Sequence, residues 1–242
     1  VSTATLTRTS AQRRDFGALS GVLYVLFFVA SLVVAGVLGP SGTVTPYSSD
    51  AEVQAYRLKD PAALENLFRT LGLLQALSAL ALLAFVPCLT GFVRRYGSDA
   101  RAGLVRALAT VAGALLLLSA STSWVLAQIG AKAELSTYRA VSDLSFITGA
   151  GPAVATLGAA VFLVAATGRT GHALPAWLTW SGMVIGAAGV LSMSSLVAAG
   201  GSVFIPIGRF LGFAWFVALS VSLWRHDGRT GNLPGAGVPR HP

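Results

Sequence analysis

Six long apolar stretches separated by short polar ones dominate the chain, at about 17–39, 67–93, 104–130, 144–167, 174–199 and 202–224. Each is about as long as the 20 residues a helix needs to cross a bilayer. None alternates with period two, and a segment in lipid must satisfy its own backbone groups, so each is predicted as a helix. The pattern predicts an all-α polytopic membrane protein. Residues 1–225 form a bundle of six transmembrane helices, and 226–242, rich in Gly and Pro, form a flexible tail. One connection is long, residues 40–66. Within it Ser49-Asp50-Ala51-Glu52 reads as a helix start, with an N-cap residue and acids in the first turn. Val53, Tyr56 and Leu58 follow before Pro61. The expectation is a short helix at the outer surface, leading into a second helix at Ala62 that merges with the second span. It serves either as an amphipathic connector or as a lid over an external pocket.

Composition sharpens this picture. Charged residues make up 11% of the chain and hydrophobic ones 54%, whereas a soluble domain carries about 25% charged residues. An ordinary water-soluble enzyme, a disordered chain and a nucleic-acid-binding module are all excluded. The net charge of +8 is explained by its distribution. One set of connections and termini holds eleven basic residues against three acids, and the other holds six of each. The positive-inside rule then puts both termini in the cytoplasm. Anionic lipid headgroups at that face are the expected partners, each basic residue near the surface adding about 1 kcal/mol. Nucleic acid is not an expected partner. Trp177, Trp180 and Trp224 fall where an inner aromatic belt belongs. Arg13-Arg14 resembles the core of a twin-arginine export signal, but the apolar run that follows has the length of a spanning helix and suits an anchor.

Candidate chemistry is sparse. Cys88 is the single cysteine, so an intramolecular disulfide is impossible. His172, His226 and His241 all lie outside the spans, so no axial pair for a membrane haem is available. No cluster has metal-ligand spacing and no base stands beside a nucleophile at depth. No catalytic residue, metal or cofactor is therefore expected. Two pairs, Gly182-x-x-x-Gly186 and Gly208-x-x-x-Gly212, put small residues on one helix face and favour close packing within the chain. Gly149-Ala150-Gly151-Pro152 should kink or loosen the fourth span and leave carbonyls in need of partners.

Depth along each helix adds one more signal. At about 1.5 Å per residue, Arg69 and Gln75, Ser121 and Gln128, Asp143 and Thr148, Ser192 and Ser195, and Arg209 all fall in the outer half of the bilayer. Such residues either bond their own backbone or line one polar cavity open to the outside. These nine are the candidate ligand-binding residues, and a lipid headgroup or small anion is the ligand that two arginines would suit. The turn between the fifth and sixth spans is expected at Gly200-Gly201, which sets Arg209 about 12 Å below the outer interface. There it should face the bundle and bond Asp143 or the serines, the alternative being an arginine that snorkels to the headgroups.

The basic segment leading into Ser20-Gly21-Val22-Leu23-Tyr24, and Leu174-Pro175-Ala176-Trp177-Leu178 followed by Gly182 and Gly186, are similar in order and spacing to a family of uncharacterised bacterial integral membrane proteins with about six helices. The resemblance implies a multi-pass protein of the bacterial plasma membrane and transfers no catalytic residue. The sequence thus points to a non-enzymatic binding or accessory protein of the membrane, with a small transporter of an anionic or amphiphilic molecule as the alternative.

Overall fold

The computed structural model describes residues 3–40 and 44–230, and within them every regular element is helical. Six helices are long and apolar enough to cross a membrane. The first span, Gly17–Leu38, is the apolar part of α1 (Thr3–Leu38). A short helix, α2 (Asp50–Lys59), precedes α3 (Pro61–Tyr96) and α4 (Asp99–Ile129). The fourth span, Leu135–Thr170, is made of two helices, α5 (Leu135–Gly149) and α6 (Gly151–Thr170). The fifth is α7 (Ala176–Leu191), continued by a tighter 3-10 segment, Ser192–Leu196. The sixth passes through a 3-10 segment (Ala199–Val203), one α turn here called α8 (Phe204–Pro206) and a wide π turn (Ile207–Leu211) before α9 (Gly212–Thr230).

Three boundaries differ from the sequence reading. The fourth span begins at Leu135 and not near 144, because the polar turns at its start are held by packing: Tyr138 is buried against Val53 of α2 and Leu126 of α4. The turn between spans five and six lies at Val197 and Ala198, not at Gly200-Gly201. Gly201 belongs to the 3-10 segment, where a Cβ would stand 2.5 Å from the Ser194 backbone. Helix α9 continues to Thr230, into the stretch expected as tail. The remainder of that expected tail, 231–242, lies outside the described residues.

Each span packs on the next, and the sixth returns to the first, so the six close into a ring in chain order. Aromatic side chains fill the middle. Tyr24 meets Phe213 and Phe216 edge-on at 5.7 and 5.5 Å, and Phe85 meets Phe216 at 6.0 Å. Lipid is as apolar as these rings, so close packing and edge-to-face contact, not water exclusion, hold this core. The small-residue faces act within the chain as expected: Gly186 lies on Gly158, Gly182 on Trp215 and Gly208 on Gly189.

Helix α2 forms as its sequence dictates. The Ser49 hydroxyl accepts the Glu52 N–H, and the Glu52 carboxylate accepts the Ser49 N–H at 2.7 Å, a complete capping box. These bonds, the backbone one first, hold the Glu52 carboxyl below its ordinary pKa. A carboxylate with a depressed folded pKa stabilises above its unfolded value and loses that contribution as pH falls through the folded one. A nitroxide label at Leu58, in a Cys88→Ser background, should therefore gain mobility on acidification. Ser49→Ala should give comparable mobility already at neutral pH, with amide exchange in α2 about five-fold faster, the effect of one lost cap. A label insensitive to both changes would mean that tertiary contacts alone hold α2.

Candidate functional site

Three spans leave α-helical geometry at one level of the bundle, and they touch there. In the fourth, Ala150 has φ −103° and ψ −103°, and α6 begins anew at Gly151 with Pro in its first turn. The Ala150 N–H still donates to Phe146 O at 2.8 Å, and the Val154 N–H to Ala150 O at 2.9 Å. The break nevertheless leaves the Gly149 carbonyl outside the helical ladder. In the fifth, Ser192 starts the 3-10 segment. Its hydroxyl, fully buried, donates to Gly151 O at 3.0 Å and Gly189 O at 2.6 Å. In the sixth, the π turn follows Pro206 and carries Gly208 and Arg209. A Cβ on Gly208 would stand 2.8 Å from the Gly189 Cα and 3.0 Å from Val154, so the backbones of spans five and six meet beside α6.

Arg209 is the chemical centre of this junction. Its Nη2 donates to the Gly149 carbonyl, the acceptor that the helix break exposes. Its guanidinium carbon lies 4.9 Å from the centre of the Phe28 ring, near the midpoint of the span Gly17–Leu38. A cation over a ring face is an attractive contact that strengthens when desolvated. No carboxylate among the described residues reaches Arg209. Asp143, the partner expected from the sequence, stands one helical turn from Arg139 with its Oδ2 3.7 Å from that residue's Nε. The serines expected as partners do not bond Arg209 either. Arg209 faces the bundle as expected, and its partner is a backbone carbonyl because the nearer helix break offers one.

Beside Arg209 is a cavity of about 20 Å³, bounded by Tyr24, Leu116, Val154, Ile185 and Phe213 among others. That is room for about one ordered water. Five of the six spans contribute to its wall.

Of the nine residues proposed from depth, Arg209 alone lines this cavity. Arg69 is exposed and pairs with Glu65 at 2.6 Å on its own helix. Ser121 and Gln128 are exposed on α4, where Ser121 bonds back to Leu117 O at 2.9 Å. Gln75 is half-buried on α3. Thr148 is buried and bonds back to Leu144 O at 2.7 Å. Ser192 joins the fourth and fifth spans through Gly151, and the Ser195 hydroxyl lies buried against Gly151 with no partner among the described residues. Depth sets a residue's level, but helical phase sets its face. That is why positions grouped by depth do not share a cavity.

Depth alone does not pick out Tyr24 or Phe28, although a tyrosine within an apolar run is a legible signal. Nor does it pick out Arg139. This side chain pairs with Asp50 and donates to Ser48 O at 2.7 Å and Pro46 O at 3.1 Å. With Tyr47, whose hydroxyl donates to Ser195 O, and Arg57, which donates to Ala133 O at 2.9 Å, it straps the long connection across α5 and the Ser192–Leu196 segment.

No family model, no curated protein and no solved structure matches the chain.

Proposed function

We propose that the chain is a non-catalytic binding protein of the membrane which admits an anionic group into the bundle beside Arg209. The observation that carries this reading is the lone guanidinium near mid-membrane, held by one carbonyl and one ring. A cation at that depth costs about 2.5–3.5 kcal/mol on insertion scales, and intramembrane charges of this kind mark ligand or ion sites. Anionic lipid headgroup and small soluble anion share the chemistry that Arg recognises. The same reading places the protein in a bacterial plasma membrane with α2 outside and both termini inside, the basic connections meeting anionic lipid. A transporter is the second reading, favoured by the interruption of three spans at one level, since transporter sites are built from such discontinuous helices.

Purified protein reconstituted into vesicles separates the two. The binding reading expects anion-dependent thermal stabilisation that Arg209→Met removes, without anion flux across the vesicle wall. Flux that Arg209→Met abolishes would establish the second reading. Stability insensitive to every anion and to every anionic lipid, without flux, would overturn both. Orientation has its own test. In a Cys88→Ser background, cysteines placed at Ser49 and Ala133 should react with an impermeant thiol reagent on intact cells, and one at Ser98 should not. Labelling of the Ser98 position from outside would invert the assignment.

A further inference from the structure

We infer that the central cavity is a site for a single monovalent, weakly hydrated anion of about halide size, held between the Arg209 guanidinium and the Tyr24 hydroxyl. The inference rests on the anion-binding reading above and specifies its ligand. Tyr24 is 3% exposed and lines the cavity together with Arg209. Among the described residues no group bonds its hydroxyl. Arg209 uses one of its five N–H donors on Gly149. Two residues with unused donors therefore line one cavity, and no Asp or Glu is among the residues that line it. Such a site asks for an acceptor, and a negative one also offsets the lone cation.

Size and lining narrow the class. About 20 Å³ holds an occupant of about water size. The rest of the wall, including Leu116, Val154, Ile185 and Phe213, is apolar and cannot replace a strong hydration shell. The cost of dehydration rises steeply with charge and falls with ionic radius. A divalent oxyanion or fluoride is thus disfavoured, and chloride and bromide are favoured. A single guanidinium matches a single negative charge.

The test is thermal unfolding of the purified protein in detergent at constant ionic strength, with gluconate exchanged for chloride, bromide or sulfate. A ligand that binds only the folded state raises the unfolding temperature in a saturable way. Chloride and bromide should do so, and sulfate should follow gluconate. Tyr24→Phe, which keeps the ring packing, should weaken the apparent chloride affinity about ten-fold, the size of one hydrogen bond to a charged group. Arg209→Met should leave no chloride response. If chloride matches gluconate in the wild type, or Tyr24→Phe leaves the chloride affinity unchanged, the inference is overturned. If sulfate, or a phosphatidylglycerol vesicle, stabilises in an Arg209-dependent way while chloride does not, the halide assignment falls and the anion-binding reading stands. If no anion of either kind acts, both fall together.

Discussion

Arg209→Glu should sharply lower the yield and the unfolding temperature of folded protein, and adding Asp143→Arg should not restore them. The substitution sets a carboxylate against the Gly149 carbonyl and the face of Phe28, the two groups that now receive the guanidinium. A charge left within the bundle without a partner costs about 3–5 kcal/mol, a large share of a typical domain stability of about 5–15 kcal/mol. The second substitution gives no relief, because Asp143 lies beside Arg139 and a new arginine there would meet a like charge. Arg209→Met should behave quite differently. It removes a charge that costs about 2.5–3.5 kcal/mol at mid-membrane and leaves one carbonyl unpaired, a loss of about 1–3 kcal/mol. These nearly cancel, so the Met variant should unfold within a few degrees of wild type in chloride-free buffer. Fluorescence-detected size exclusion and thermal unfolding in detergent give both answers. A well-folded Arg209→Glu protein, or rescue by Asp143→Arg, would show that the guanidinium is not seated on Gly149.

Gly186→Ala is the second large effect, and it should lower the unfolding temperature clearly. A methyl group there would stand 2.7 Å from the Gly158 carbonyl oxygen and 2.7 Å from the Phe162 N. Both are backbone atoms of α6, so α6 and α7 must move apart. Overpacking of this kind costs about 1–3 kcal/mol, and separation of α7 would also loosen Gly189 from Gly208 and so disturb the seat of Arg209. Gly158→Ala meets the same wall from the other side, with the Gly186 oxygen and the Gly189 Cα each at 2.8 Å. The two losses should not add, because either one opens the same interface. Gly91→Ala and Gly103→Ala are the controls. Nothing lies within 4 Å of the added carbon at either site, and an alanine within a helix is favoured over glycine by up to about 1 kcal/mol. Equal unfolding temperatures for Gly186→Ala and Gly91→Ala would refute the close crossing of α6 and α7.

Several features were legible in the sequence because the physics behind them is local or one-dimensional. A backbone in lipid must pair with itself, so apolar length alone marks six helices. The Ser49 and Glu52 spacing specifies the cap of α2 without reference to the rest of the chain. Gly149 to Pro152 breaks the fourth span because Pro152 has no N–H to give. An arginine in mid-span must turn inward or reach the headgroups, and Arg209 turns inward. Tertiary structure decided what each of these meets. The exposed Gly149 carbonyl took Arg209 because the π turn after Pro206 and the small Gly208 let span six approach α6, which no pattern along one helix encodes. The phase of α3 and α4 turned Arg69, Ser121 and Gln128 outward, away from the cavity that Arg209 lines. Tyr24 became a cavity wall only when the ring of spans closed on itself. Level along the membrane is set by counting residues. Face and partner are set by how helices rotate to bury one another's small and aromatic side chains, and that choice is made by all six at once.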